Sequence, residues 1–130
     1  MPSVLTPVPE NVGSLGQAWR MAENFVAAHE CCDVFVGRGD SMLPLYRDQT
    51  VLVVQAMPVA ELQAGMTVVF VGDHGQLVAH QLLEKTHNGW RAIGVGNHEA
   101  DRTPVTRANF MGVVVRAYAT DSHSSRYAAQ

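Results

Sequence analysis

Short apolar runs of strand length, separated by turn residues, constrain the fold of this chain more than any other feature. Val51–Gln55, Thr67–Val71 and Val113–Tyr118 are rich in β-branched residues, as is typical of strands. Two Gly-containing segments, Gly72–Gly75 and Asn88-Gly89, are typical of hairpin connections. Further strands are predicted at Asp33–Gly37, Gln76–Leu83 and Trp90–Val95. The sequence therefore predicts a mostly antiparallel sheet.

One helix precedes these strands and runs from Ser14 to about Glu30. Ser14 and Gln17 form a capping-box pattern at its start. Apolar residues then recur at helical spacing: Leu15, Ala18, Trp19, Ala22, Phe25 and Val26. We expect Trp19 and Phe25 to pack into the core. The predicted fold class is mainly β (α+β), a coiled antiparallel sheet or partly open barrel with one N-terminal amphipathic helix.

The length of 130 residues fits a single domain. Residues 1–13 contain three prolines and are predicted to be an extended N-terminal lead-in. Residues 14–118 are predicted to form the domain. Residues 119–130 end in a Ser- and His-rich stretch and are predicted to be a frayed C-terminal tail.

Charge and cysteine usage exclude several classes of protein. The formal net charge is −3, and the nine Lys and Arg residues are scattered, so no nucleic-acid partner is expected. No run approaches the about 18 apolar residues that span a bilayer, and no membrane partner is expected. Cys31 and Cys32 are adjacent, a spacing unsuited to a disulfide between them. The chain therefore reads as a cytoplasmic protein with reduced thiols.

The segment from Gly37 to Pro44 has the composition of an exposed nucleophile turn. A predicted strand runs into two glycines, presents Ser41 and is stopped by Pro44. Glycine allows close backbone approach to a substrate, and Met42 offers an apolar wall. A serine beside glycine is equally typical of a structural turn, so the segment alone leaves both interpretations open.

The pattern Gly37-x-x-x-Ser41-Met42-x-Pro44 resembles the nucleophile box of the signal peptidase I and LexA-like serine peptidases. The similarity covers about residues 34–118. It continues through Leu62-x-x-Gly65-Met66-x-Val68-Val69-Phe70, Leu77-Val78-Ala79-His80, Gly96-Asn97 with Asp101, and Gly112-Val113-Val114-Val115. The resemblance implies a sheet of the signal peptidase–LexA type and makes Ser41 the expected nucleophile.

By the same resemblance, His80 stands where these families carry the general base. That base is a lysine in bacterial signal peptidases and LexA-like proteins, and a histidine in the archaeal and endoplasmic-reticulum type. The only lysine, Lys85, is five residues further on and at opposite strand parity to His80, so a Ser–Lys dyad is not expected. Neutral imidazole can accept a serine proton near neutral pH. The alternative for His80 is a hydrogen-bonded sheet histidine.

Asp101 is the candidate for a third catalytic residue, because the His-type enzymes carry an aspartate in this region. It would orient His80 by accepting its other ring N–H. An equal alternative is that Asp101 caps the Asp-Arg-Thr-Pro turn that it begins, and Asp73 is a weaker candidate. For the oxyanion and substrate-binding positions the sequence offers Gly39, Ser41 and Met42. Relatives have a hydroxyl where Gly39 stands, which leaves the Ser41 N–H as the expected donor.

The function expected from this resemblance is a serine endopeptidase that cleaves an extended protein or peptide segment with a Ser–His dyad or triad. No cofactor and no metal site are expected. Two alternatives remain: a LexA-like self-processing or regulatory domain, and a catalytically inactive peptide-binding module of the same fold. Gly39, Asn97 and Gln49 depart from the pattern of the relatives and favour the inactive module.

Overall fold

The computed structural model describes residues 5–37, 42, 44–97 and 99–120. These residues form seven strands, one α-helix and a short 3-10 helix. In chain order they are β1 (Glu10–Asn11), α1 (Leu15–Ala28), β2 (Cys32–Val36), β3 (Val51–Gln55), the 3-10 helix (Val59–Glu61), β4 (Thr67–Val71), β5 (Leu77–Thr86), β6 (Gly89–Ile93) and β7 (Phe110–Ala119). The predicted mainly β fold with one N-terminal helix is confirmed.

The strands form one open sheet whose centre is β7. The order is β2-β3-β7-β4-β5-β6, and β1 pairs in parallel with the end of β7. The other pairings are antiparallel. A Cβ atom at Gly112 of β7 would lie 2.9 Å from the carbonyl oxygen of Gln55 on β3. Glycine at position 112 therefore lets β3 and β7 approach closely.

Helix α1 packs on β2, β3 and β7 through its smallest residues. Ser14 caps the helix: its hydroxyl accepts the Gln17 N–H, and the Gln17 side chain accepts the Ser14 N–H. Ala18 and Ala22 are fully buried, whereas Trp19 is 39% exposed. The expected burial of Trp19 is therefore wrong. The two alanines let the helix lie close to the sheet, and this close approach leaves the indole at the rim of the contact.

The segment before the helix is packed against the sheet. We call Leu5–Val12 the N-terminal strap. The Thr6 hydroxyl donates to the Gly65 carbonyl and lies 2.9 Å from the Thr67 hydroxyl. The Val12 N–H donates to the Ala119 carbonyl. The described part of the predicted lead-in contributes strand β1, and Pro7 and Pro9 stand outside the β1 pairing.

Three clusters of buried side chains make up the core. One lies between α1 and the sheet, and another surrounds Phe70, Leu82 and Trp90. The third lies beneath the region that carries the candidate site. Its buried members are Met42, Tyr46, Leu52, Val54, Val69, Val114 and Ala117.

Gln49 has a left-handed backbone conformation, with φ at 67°. Its N–H donates to the Gly37 carbonyl, which holds it in place. Because side chains disfavour this region by about 1–2 kcal/mol, we expect Gln49→Gly to raise the free energy of unfolding by about 0.5–1 kcal/mol. Urea denaturation measures the change. Gln63→Gly is the control, since Gln63 has no positive φ and its replacement should lower stability. A destabilised Gln49→Gly variant would contradict the prediction.

Candidate active site

His80 lies on β5 directly opposite Val68 of β4. Its side chain faces the core cluster that contains Phe70, and the two ring centroids are 6.3 Å apart in an edge-to-face arrangement. The residue is only 8% exposed. The strand pairing and the Phe70 contact therefore fix the position of the imidazole.

Asp101 reaches His80 from the segment that follows β6. Its backbone N–H donates to the Ala92 carbonyl at 2.8 Å, which ties the residue to the sheet. Its Oδ2 atom lies 2.6 Å from Nδ1 of His80. With an ionised carboxylate, Nδ1–H is the donor, and Nε2 is then the nitrogen that can accept a proton. The structure brings two of the predicted catalytic residues into one hydrogen-bonded pair.

Ser41 and Gly39 lie outside the residues that the structure describes. The residue that follows the predicted nucleophile, Met42, is described and is 5% exposed. Its sulfur accepts the Val95 N–H at 3.3 Å, and its carbonyl accepts the Tyr46 N–H at 2.9 Å. Met42 is thus held from two sides.

An apolar cleft of about 390 Å³ has both Met42 and His80 in its lining. We use the name apolar cleft for the space lined by Phe35, Val36, Gly37, Met42, Tyr46, Arg47, Thr50, Leu52, Leu77, Val78, Ala79 and His80. β2 forms one wall and the first half of β5 forms the other. A cleft of this volume accommodates several residues of an extended chain.

Both strands that border the apolar cleft present an unpaired edge within the described part of the chain. β2 pairs with β3 alone. β5 pairs with β6 only from Gln81 onward, so Leu77–Ala79 has a strand partner, β4, on one side only. Unpaired N–H and C=O groups on such edges can bind an extended peptide as an added strand.

A second, smaller pocket of about 160 Å³ also has His80 in its lining. The β4–β5 turn and the segment after Asp101 line it. Its members are Phe70, Gly72, Asp73, His74, Gln76, Val78, His80, Asp101, Arg102 and Thr103. Asp73, the weaker candidate for the third residue, lies at this pocket, whereas the carboxylate hydrogen-bonded to His80 is that of Asp101.

Lys85 lies on the same face of β5 as His80, so the parity argument made from the sequence is wrong. A β-bulge between Leu82 and Glu84 shifts the register, and the extra residue reverses the alternation of faces. Lys85 then lies directly opposite Trp90 in the pairing of β5 with β6. It remains exposed and about 16 Å from His80 along the strand, so a Ser–Lys dyad is still not expected.

Comparison with known protein families and with curated protein sequences finds no match for this chain. Among the described residues, no helix is long and apolar enough to cross a membrane. Within the same residues, no group of three or more His, Cys, Asp or Glu side chains is placed to hold a metal ion.

Sequence reasoning did not identify Tyr46, which is a wall of the apolar cleft and only 4% exposed. Its hydroxyl donates to the Pro7 carbonyl at 2.6 Å, across 39 positions of sequence. Backbone carbonyls carry no sequence signature, so no local pattern could have revealed this contact.

Burial raises the pKa of Tyr46 well above its ordinary range. Above about pH 10 the unfolded chain loses the phenolic proton while the folded chain keeps it. The free energy of unfolding should therefore fall as pH rises from about 10. Tyr46→Phe removes this titration, so we expect a shallower fall between about pH 9 and about pH 11, measured by urea denaturation. Parallel curves for the two proteins would contradict the prediction.

Proposed function

We propose that this chain is a serine endopeptidase of the signal peptidase I and LexA-like type, with Ser41 as nucleophile, His80 as general base and Asp101 as the residue that orients His80. The observation that carries the proposal is the 2.6 Å contact between Asp101 and His80, a residue that lines the apolar cleft. Met42, the residue after the predicted nucleophile, lines the same cleft.

The chemistry follows from the roles of these groups. Ser41 Oγ attacks a peptide carbonyl carbon while Nε2 of His80 takes the hydroxyl proton. When the C–N bond breaks, the imidazolium returns this proton to the leaving amine, and an acyl-Ser41 ester remains. His80 then takes a proton from water, whose oxygen attacks the ester carbonyl carbon. The imidazolium gives this proton to Ser41 Oγ as the ester C–O bond breaks, which releases the acid and regenerates Ser41. Asp101 holds Nδ1–H throughout and stabilises the imidazolium.

The substrate class that suits the apolar cleft is an extended protein or peptide segment. Such a segment can hydrogen-bond to the unpaired edge of β2, of Leu77–Ala79, or of both. Its side chains would meet Phe35, Leu52 and Ala79, which are apolar. The resemblance adds a preference for small residues before the cut. The expected setting is the cytoplasm, with soluble protein substrates.

A peptide-binding module without catalysis is the second candidate. It is favoured by the same unpaired edges, which bind a chain whether or not it is cleaved. It also requires no donor at Gly39, where relatives have a hydroxyl. The two functions differ in the reactivity of Ser41.

A fluorophosphonate probe distinguishes these two functions, because it modifies only an activated serine. We expect the wild-type chain to be labelled at Ser41 and Ser41→Ala to be unlabelled. His80→Asn should lower the labelling rate about 10²- to 10⁴-fold by removing the base. His87→Asn is the matched control, since His87 is exposed in the β5–β6 turn. A wild-type chain that binds extended peptides but is not labelled would contradict the peptidase and support the binding module.

The Asp101→Asn substitution tests whether Asp101 orients His80. An amide in place of the carboxylate no longer favours the tautomer with Nδ1–H, so we expect labelling and peptide cleavage to slow about 10²- to 10⁴-fold. Asp73→Asn in the adjacent turn is the control and should retain the wild-type rate. Unchanged labelling in Asp101→Asn, together with a lower urea midpoint, would assign Asp101 to capping its own turn instead.

A further inference from the structure

The N-terminal strap contacts the apolar cleft at two of its lining residues. The Pro7 carbonyl accepts the Tyr46 hydroxyl at 2.6 Å, and the Asn11 side-chain oxygen lies 3.4 Å from a guanidinium nitrogen of Arg47. Tyr46 and Arg47 are neighbours in the sequence and both line the cleft. The strap is therefore bonded to the cleft wall.

The strap is itself anchored to the sheet on either side of these contacts. Before Pro7, Thr6 is buried and bonded to Gly65 and Thr67. After Asn11, the Val12 N–H donates to Ala119 of β7 at 3.0 Å. Fixed on both sides, the strap presents the Pro7 carbonyl in a set position, and this carbonyl defines where the Tyr46 ring lies.

The position of Tyr46 in turn affects that of Met42, because the two residues are hydrogen-bonded. The Tyr46 N–H donates to the Met42 carbonyl at 2.9 Å, while the Met42 sulfur accepts the Val95 N–H at 3.3 Å. Both residues are almost fully buried in one core cluster. A hydrogen bond at each end of Tyr46 thus connects the strap to the residue that follows Ser41 in the sequence.

We propose that Tyr46 is a positioning residue: held by Pro7 of the N-terminal strap, it fixes the Met42 wall of the apolar cleft against the Val95 segment. The catalytic consequence rests on the proposed function, because it concerns how Ser41 is presented to His80. The structural consequence does not, because it concerns amide hydrogen bonds that exist with or without catalysis. The N-terminal strap then contributes to the geometry of the candidate site.

Amide hydrogen exchange of the full chain tests the structural part. Tyr46→Phe removes the bond to Pro7 and keeps the ring. We expect the exchange of the Tyr46 and Val95 amides to accelerate about 3- to 10-fold, the equivalent of one hydrogen bond. The Val53 amide in β3 should be unchanged. Tyr118→Phe is the matched control: Tyr118 is also buried but packs beneath α1, away from the cleft. Equal exchange in wild type and Tyr46→Phe would overturn the proposal.

Thr6→Val loosens the strap at a distance from the cleft. It should accelerate exchange of the same two amides, and the Tyr46→Phe/Thr6→Val double variant should show less than the sum of the two effects, since both act on one connection. Thr6→Ser keeps the hydroxyl and should restore slow exchange. Additive effects of the two substitutions would show that the strap and Tyr46 act independently and would refute the proposal.

The fluorophosphonate labelling rate tests the catalytic part in the same variants. At equal folded fraction, we expect Tyr46→Phe to label about 3- to 10-fold more slowly than wild type and Tyr118→Phe to match wild type. If Tyr46→Phe shows faster amide exchange but labels at the wild-type rate, the N-terminal strap has a structural role only. That result would overturn its role in presenting Ser41. A wild-type chain that does not label would refute the proposed function, and the exchange data would still decide the role of Tyr46.

Discussion

The pairing of β7 with β3 on one edge and β4 on the other holds the candidate site together. The β2–β3 pair leads into the segment of Ser41, and the β4–β5 pair carries His80. Within the described residues, β7 is the strand that joins these two pairs. Its hydrogen bonds therefore set the distance between the two walls of the apolar cleft. Gly112 allows the close approach at this junction, so a single backbone position of β7 affects both walls.

The hydrogen bond between His80 and Asp101 is partly shielded from water, since 10% and 20% of the two side chains are exposed. Side chains that exclude water lower the local dielectric, so the hydrogen bond from Nδ1 of His80 to Asp101 is stronger there than in water. The aspartate is 21 positions from His80 in the sequence, and the bond of its N–H to Ala92 supplies the precise placement that the pair needs.

Local sequence patterns predicted the elements whose bounds depend on the residues within the element itself. β3 and β4 have the predicted bounds, because each is a continuous β-branched run between turn residues. The Ser14 and Gln17 capping box fixed the start of α1. β5 and β7 extend beyond their predicted ends, since their added residues are held by pairing with neighbouring strands. The bulge at Leu82–Glu84, which overturned the parity argument for Lys85, likewise depends on the register with β6.

The sequence by itself determined the fold class, the single helix and the identity of the candidate residues Ser41, His80 and Asp101. Side-chain type and periodicity encode the fold class and the helix, because burial of alternating or helically spaced apolar residues is a local preference. The three candidate residues follow from the resemblance of the sequence motifs to those of the signal peptidase I and LexA-like families. Only the tertiary structure decided that Asp101 contacts His80, that β2 and β5 border one cleft, and that Pro7 holds Tyr46. These features bring together segments far apart in the chain, and the Pro7 contact uses a backbone carbonyl, a group that every residue shares. Their formation depends on where the packed sheet places each segment.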